Sequence, residues 1–269
     1  MSNLCLKANA VIRPEGRRLA DFVGQPNVVV IAPHPDDDAI GVGGSLRRHR
    51  SAGENVFALY VTDGAGTPTG GGRTREEIVQ TRQDEAMRGL GEIDAQAGIF
   101  LNYQSKEVKS ERVPDVVQDL AALFDLLRPR VIYVTAPYER HSTHIACTLR
   151  TVEAIRAVRD FTPELKGYAV WGYLYGDENL EYVDISAHVE AKRRAIRCHE
   201  SEVAGHAYDE GIIGLHRYVA VFQETHGIQE MAYAELLLDM SRLVREPDLS
   251  VGDFAREQVM SFLQKTYGA

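Results

Sequence analysis

The stretch VVVIAPHPDDDAIGVGG, residues 28–44, decides the fold of this 269-residue chain. It opens with five apolar residues, four of them β-branched, a run that predicts a parallel strand buried on both faces. A histidine and three aspartates follow where the predicted strand ends, and residues 39–51 then show a helical pattern. The stretch therefore predicts a strand–loop–helix unit whose loop carries ionisable side chains.

The same alternation of strand and helix patterns continues to about residue 223. Further strands are predicted at 56–62, 99–101, 131–135, 168–175, 182–185 and 218–223, and further helices at 75–90, 113–127, 142–158 and 187–199. Two more helices, separated around Pro247, are predicted in 229–267. We therefore expect an α/β fold: a Rossmann-like, doubly wound, mostly parallel sheet with helices on both faces and a helical C-terminal tail.

The chain predicts a single domain over residues 1–269, with a core at about 27–223 and a helical extension at 229–267 that packs or mediates oligomerisation. Trp171, inside a predicted strand, is expected in the core. The sequence shows no internal repeat and no linker, which also favours one domain.

Composition and charge restrict the classes of partner. Lys and Arg number 30 against 39 Asp and Glu, so the net charge of −9 argues against nucleic acid and against an anionic membrane surface. Three widely spaced cysteines do not form a disulfide framework, and no stretch approaches the length of a membrane span. We expect a cytoplasmic protein that acts on a small molecule, and the sequence is compatible with a homo-oligomer.

The loop after the first predicted strand is a candidate metal site. Ligands in doubly wound folds bind where the carboxyl ends of the strands pass into helices. Helix capping explains one or two of the aspartates at 36–38, but not His34 beside three adjacent carboxylates, which a cation would stabilise. A dinucleotide-binding loop is disfavoured, because Leu46 stands where its fingerprint needs glycine.

The loop after the strand at 131–135 supplies two histidines, His141 and His144. Together with His34 and one aspartate, one of them would provide two imidazoles and one carboxylate. This ligand set is typical of catalytic Zn²⁺ with an open position for water, and also of non-haem Fe²⁺. A second aspartate beside the ligand would then be placed to deprotonate the attacking water.

These motifs resemble those of the PIG-L/LmbE-like zinc de-N-acetylases. The motifs that carry the resemblance are PHPDD at 33–37, TDG at 62–64, RxxEA at 82–86, HxxH at 141–144 and KxxAxxxHxS at 192–201. The resemblance spans residues 28–222. It implies a zinc-dependent hydrolase that removes the N-acetyl group of an N-acetylglucosamine-containing conjugate and releases acetate and a free amine.

The resemblance also implies roles for particular residues. Zinc would be held by His34, Asp37 and His144. Asp36 would be the general base, and His141 would stabilise the oxyanion or donate a proton. Arg82 and Asp63 would contact the substrate.

The sequence departs from the family pattern at Asp38 (usually Glu), Ser142-Thr143 (usually Pro-Asp) and Glu202 (usually Gln). None of these departures removes a predicted ligand, so they bear on substrate fit. Two alternatives remain at this point. One is an amidase that uses the same metal site on a sugar–thiol or other acyl-amide conjugate, and the other is a sugar- or metal-binding module without catalysis.

Overall fold

The computed structural model describes residues 9–12, 17–66, 72–110, 114–174, 179–222 and 231–267. They contain one eight-stranded sheet with the strand order β1-β4-β3-β2-β5-β6-β8-β7. The strands are β1 (Asn9–Ile12), β2 (Asn27–Ala32), β3 (Asn55–Thr62), β4 (Ala97–Tyr103), β5 (Val131–Thr135), β6 (Glu164–Tyr168), β7 (Leu180–Asp184) and β8 (Ala234–Asp239). The longer helices are α1 (Asp37–Ser51), α2 (Arg75–Glu92), α4 (Pro114–Leu127), α5 (Ser142–Ala157), α6 (Val189–Arg197), α8 (Tyr208–Phe222) and α10 (Val251–Tyr267); single turns form α3 (Ser105–Val108), α7 (Glu200–Val203) and α9 (Arg242–Arg245).

The centre of the sheet is parallel. β4, β3, β2, β5 and β6 run parallel to one another, whereas β1, β8 and β7 pair antiparallel at the edges. β2 and β3 are buried along their whole length, because helices cover both faces of the sheet. Alternate side chains of β2 point to opposite faces of the sheet. Val29 and Ile31 pack with α4 and α5, whereas Val28 and Val30 pack with α1, α2 and α6. The predicted doubly wound α/β fold is confirmed.

Three local predictions were wrong. The strand expected at 168–175 ends at Tyr168, and Trp171 lies beyond it with 44 % of its surface exposed. Residues 218–222 end helix α8 instead of forming a strand, because Ile213, His216 and Val219 bury one helical face while Tyr218 remains exposed. Aromatic and β-branched residues on that exposed face imitate a strand in the sequence.

The C-terminal segment is only partly helical. Ala234–Asp239 forms β8, which lies between β6 and β7. The C-terminal segment therefore contributes a strand to the central sheet. A short apolar run such as Leu236-Leu237-Leu238 does not distinguish a strand from a helix by periodicity, and here pairing with two neighbouring strands decides. Within the described ranges, no helix is long and apolar enough to cross a membrane.

Candidate metal centre and active-site cavity

The loop after β2 folds back on its own histidine. Asp37 is the first residue of α1, and its Oδ2 accepts a hydrogen bond from the backbone N–H of His34 at 2.8 Å. The same oxygen lies 3.1 Å from Nδ1 of the His34 ring. Asp36 stands at the N-cap position but makes no side-chain capping bond, so capping does not account for its carboxylate.

His144, in the first turn of α5, reaches the same point from the neighbouring strand β5. Its Nε2 lies 3.2 Å from Nδ1 of His34 and 3.3 Å from Oδ2 of Asp37. These two loops meet because β2 and β5 are adjacent parallel strands whose carboxyl ends lie at one edge. The structure therefore brings together two imidazole nitrogens and one carboxylate oxygen from residues 110 positions apart.

The spacing of these three atoms suits a small divalent cation. Ligands at the about 2.0–2.2 Å bond lengths of Zn²⁺ stand about 3.3–3.6 Å apart in a tetrahedron, slightly more than the measured separations. His141 completes a histidine cluster, since one nitrogen from each of His34, His141 and His144 lies within 4.8 Å of the others. His141 is exposed, and its Nδ1 accepts the Thr143 N–H at 3.3 Å, whereas Asp37 is buried against both other groups.

The pKa values of the adjacent residues Asp36 and Asp37 are shifted in opposite directions. Burial raises the pKa of Asp36 to about 7, although the Arg82 guanidinium opposes the shift. Burial would also raise the pKa of Asp37, but the imidazoles of His144 and His34 outweigh it and lower the pKa to about 2. Asp37 is thus an anion that suits metal binding, whereas Asp36 exchanges its proton near neutral pH.

Arg82 contacts protein groups on three sides. Its Nη2 lies 3.3 Å from Oδ2 of Asp36, and its Nη1 lies 3.2 Å from Oε1 of Glu202 and donates to the Gly64 carbonyl at 2.8 Å. The side chain is buried, and its Nε has no hydrogen-bond partner among the residues described. Arg82 therefore fixes the Asp36 carboxylate, and its predicted contact with substrate stays a prediction.

Asp63 follows β3 directly, and both of its carboxylate oxygens contact other groups of the protein. One carboxylate oxygen pairs with Arg75, and the other accepts the Ala65 N–H at 3.1 Å. It is not among the residues that line the cavity beside the candidate ligands. Its predicted role in substrate binding remains untested.

A cavity of about 200 Å³ opens beside the candidate ligands. In the part of the chain that the structure describes, its lining residues come from five separate segments: His34, Asp36, Asp37, Arg82, His141, Trp171 and Glu202. Six of the seven are ionisable, so the cavity suits a polar ligand with groups that hydrogen-bond.

The sequence analysis did not identify Glu139. This buried carboxylate has Oε2 3.8 Å from Nδ1 of His144, the ring nitrogen that faces away from Asp37, and it accepts the backbone N–H groups of Val170 and Trp171. Carboxylates behind a metal-binding histidine commonly orient its ring. The available signal was a glutamate two residues before His141, in a loop at a strand's carboxyl end.

The RxxEA motif at 82–86 and the KxxAxxxHxS motif at 192–201 contact each other beside the cavity. Glu85 of α2 accepts hydrogen bonds from the backbone and hydroxyl of Ser201, at 2.8 and 2.6 Å. His199 is buried between them against Gly89, and burial together with Arg82 lowers its pKa to about 3, so the ring is neutral. These contacts hold α7, which carries Glu202, against α2, which carries Arg82.

Lys192 and Glu235 form a buried ion pair beneath α1. Their Nζ and Oε1 atoms are 2.5 Å apart, and both side chains are fully buried. α1 is broken at Val42, and Glu235 accepts the N–H groups of Gly44 and Ser45 just after the break, at 2.9 and 2.8 Å. Lys192 donates to the Gly41 carbonyl just before it, at 3.2 Å. The pair thus caps both half-helices with the charges that their dipoles favour.

The glycines of α1 allow this close packing. A Cβ on Gly41 would lie 2.2 Å from the Tyr168 ring, and one on Gly44 would lie 2.7 Å from Ile185. The glycine run therefore serves helix–sheet and helix–helix contact, which agrees with the exclusion of a dinucleotide loop. The first half-helix, which carries Asp37, is held against the sheet.

Known proteins resemble this chain in sequence and in fold. It is 27 % identical over 219 residues to the diacetylchitobiose deacetylase of Thermococcus kodakarensis, covering 69 % of this chain and 81 % of that protein. Among solved structures, N,N'-diacetylchitobiose deacetylase from Pyrococcus horikoshii matches with a TM-score of 0.65 and 22 % identity over 86 % of this chain and 91 % of that one.

The fold alone does not define the reaction. GalB, the 4-carboxy-2-hydroxymuconate hydratase from Pseudomonas putida, also matches with a TM-score of 0.65, at 16 % identity over 80 % of this chain and 95 % of that one. The sequence comparison is more specific than the fold comparison. Residues 29–155 match the family model described as PIG-L, GlcNAc-PI de-N-acetylase. That match includes the loops after β2 and β5, so the chain is similar to the PIG-L family in the segments that carry the candidate metal ligands.

Proposed function

We propose that this protein is a metal-dependent hydrolase that removes the N-acetyl group from an N-acetylglucosamine-containing conjugate, giving acetate and a free amine. The observation that carries the proposal is the convergence of His34, Asp37 and His144 beside the buried carboxylate of Asp36. The match of residues 29–155 to a family model described by de-N-acetylation supports the reaction type.

The metal would be held by Nδ1 of His34, Oδ2 of Asp37 and Nε2 of His144. Two imidazoles and one carboxylate suit Zn²⁺ and also Fe²⁺, and we propose Zn²⁺. When bound, such a cation polarises an amide carbonyl and lowers the pKa of water at its open position. His141 is the alternative third ligand, but its exposure and its bond to Thr143 make Asp37 the better candidate.

Asp36 would act as the general base. Arg82 engages its Oδ2, whereas Oδ1 is buried without a hydrogen-bond partner among the described residues. Oδ1 would take a proton from the attacking water and later return it to the departing nitrogen, because an amide nitrogen leaves only when protonated. The Arg82 contact keeps the carboxylate in one position through both transfers.

His141 would stabilise the oxyanion. Its Nδ1 accepts the Thr143 N–H, so the neutral ring carries its proton on Nε2. Partial burial, together with the neighbouring His34 and His144, lowers the pKa of His141 and favours this neutral form. A neutral imidazole that donates from Nε2 would hydrogen-bond to the carbonyl oxygen as negative charge develops there.

The dimensions of the cavity support a sugar as the reacting unit. Its volume of about 200 Å³ is below the roughly 300–1,000 Å³ of sites that enclose a whole drug-sized ligand. We propose that one N-acetylhexosamine ring enters and that the rest of the conjugate lies outside. Relatives that act on diacetylchitobiose support an amino sugar.

Acetate release tests the proposal. Zinc-loaded wild type would be incubated with N-acetylglucosamine, diacetylchitobiose and N-acetylglucosaminyl malate, beside Asp36→Asn and Asp38→Asn. Asp38 is the matched control, since it is equally buried but accepts the Tyr60 hydroxyl at 3.0 Å and does not line the cavity.

We expect acetate from the wild type and from Asp38→Asn, and a loss of about 10²–10⁴-fold for Asp36→Asn at unchanged zinc content. Equal activity of Asp36→Asn and wild type would refute the assigned base. Binding of these sugars without acetate, at full zinc occupancy, would favour a non-catalytic module.

A further inference from the structure

Trp171 is the only tryptophan of the chain, and among the residues that the structure describes it is the only apolar side chain in the lining of the cavity. The other lining residues are ionisable, so any apolar surface of a bound ligand meets the indole or no apolar partner within that lining. An isolated exposed aromatic needs no explanation on most surfaces. Here the exposed ring forms a wall of the site that holds the candidate metal ligands and base.

Trp171 is held in position from behind. Its backbone N–H donates to Oε1 of Glu139 at 2.8 Å, and Glu139 also lies behind the His144 ring. Its indole packs edge-on with the ring of Tyr208, with centroids 5.5 Å apart, and Tyr208 stacks on His206 at 5.4 Å. The indole is therefore organised before a ligand arrives, which lowers the entropic cost of binding.

A pyranose ring matches this arrangement of surfaces. Its faces carry C–H groups, which pack on an aromatic ring, while its hydroxyl and acetamido groups project around the edge and require polar partners. The cavity supplies one aromatic wall and six ionisable side chains. A ligand without an apolar face would leave the indole unused, and a wholly apolar ligand would bury those ionisable groups unpaired.

We propose that Trp171 is a specificity-determining residue whose indole stacks on the pyranose ring that bears the reacting acetamido group. This inference rests on the proposed function, because it assumes that the reacting amide belongs to an amino sugar. Trp171 would then select for a sugar ring in the cavity, whatever conjugate is attached to that ring.

Intrinsic fluorescence tests the stacking directly, since all tryptophan emission comes from residue 171. Zinc-loaded Asp36→Asn, in which the sugar stays uncut, would be titrated with N-acetylglucosamine while calorimetry measures binding independently. We expect a saturable change in emission with the same Kd as the calorimetric titration. Calorimetric binding without any change in emission would refute the stacking and leave the proposed function standing.

Kinetics of Trp171→Ala and Trp171→Phe provide the second test. We expect Trp171→Ala to raise KM about 10-fold for N-acetylglucosamine and for diacetylchitobiose alike, with kcat within about 2-fold, and Trp171→Phe to recover most of the loss. Met260→Ala is the matched control, because Met260 is an exposed apolar residue of α10 that does not line the cavity.

The outcomes separate the two hypotheses. A KM increase confined to the disaccharide would contradict stacking on the reacting ring, and so would a failure of phenylalanine to restore KM. A fall in kcat at unchanged KM would also contradict stacking, because the indole would then contribute nothing to binding of the sugar. If wild type neither binds nor cleaves any of the sugars, the proposed function itself fails.

Discussion

Glu235→Gln removes one charge from a fully buried ion pair at almost constant side-chain volume. The carboxylate accepts from Lys192 and Gly44 on Oε1, and from the N–H and hydroxyl of Ser45 on Oε2. Either orientation of a glutamine amide places its NH₂ group against two donors. The substitution also leaves the Lys192 ammonium buried without a counter-charge.

Breaking such a pair by removing one partner costs about 3–5 kcal/mol. A typical domain has only about 5–15 kcal/mol of stability, so the loss takes a large share of it and lowers Tm by roughly 6–20 °C. The matched control is Glu181→Gln. Glu181 pairs with Lys166 at the same 2.5 Å, but its side chain is 42 % exposed. We expect the control to lose about 0–1 kcal/mol.

Urea unfolding of chelator-treated protein, followed by circular dichroism, measures both losses without a contribution from bound metal. The double variant Lys192→Met/Glu235→Gln is expected to lose less than the sum of its two single variants, because it leaves no unpaired ammonium. Equal losses in Glu235→Gln and Glu181→Gln would show that burial of the pair does not carry the effect, and the account of α1 as two capped half-helices would fall.

Three further predictions concern the cavity. Glu139→Gln is expected to weaken zinc binding about 10–100-fold, measured by competition with a chelator, because the carboxylate behind His144 is lost; unchanged affinity would contradict this role. Arg82→Met leaves the Asp36 and Glu202 carboxylates buried together, so we expect a loss of about 3–5 kcal/mol in urea unfolding that adding Glu202→Gln partly restores. In the metal-free protein the pKa of Asp36 is raised from 3.8 to about 7, so its contribution to stability is fully present below pH 3.8 and lost as pH rises through 7. Asp36→Asn should therefore lose less stability than wild type between pH 4 and 7.5, and parallel profiles would refute the shifted pKa.

The sequence alone locates the two loops of the candidate site because their signals are local. Each lies within a few residues of a buried strand, and adjacent parallel strands bring their carboxyl ends together. PHPDD at 33–37 and HxxH at 141–144 needed only that rule to be placed at one edge of the sheet. The measured convergence of His34, Asp37 and His144 agrees with it.

The residues that the sequence analysis missed depend on contacts between distant segments. The sequence pattern places Glu235 in a helical tail. In the structure it lies on β8, between β6 and β7, and this position brings its carboxylate to α1. The sequence pattern places Trp171 in a core strand, but in the structure β6 ends three residues earlier, at Tyr168. Periodicity reports which side chains are buried in a regular element, but not where pairing with another strand begins or ends.

The three consecutive aspartates show how the fold gives one residue type different chemistry. Asp36, Asp37 and Asp38 are all buried, yet the pKa of the first is raised to about 7, that of the second is lowered to about 2 and that of the third is raised to about 6. Burial raises the pKa of all three carboxyl groups, so the differences between their pKa values come from the neighbouring groups. Asp37 faces two imidazoles, Asp36 faces one guanidinium beside a competing glutamate, and Asp38 accepts a tyrosine hydroxyl. A carboxylate that stays charged suits a metal ligand, and one that titrates near neutral pH suits a base. The two roles that hydrolysis of an amide requires can therefore stand on adjacent residues, because the helix start directs their side chains into separate surroundings.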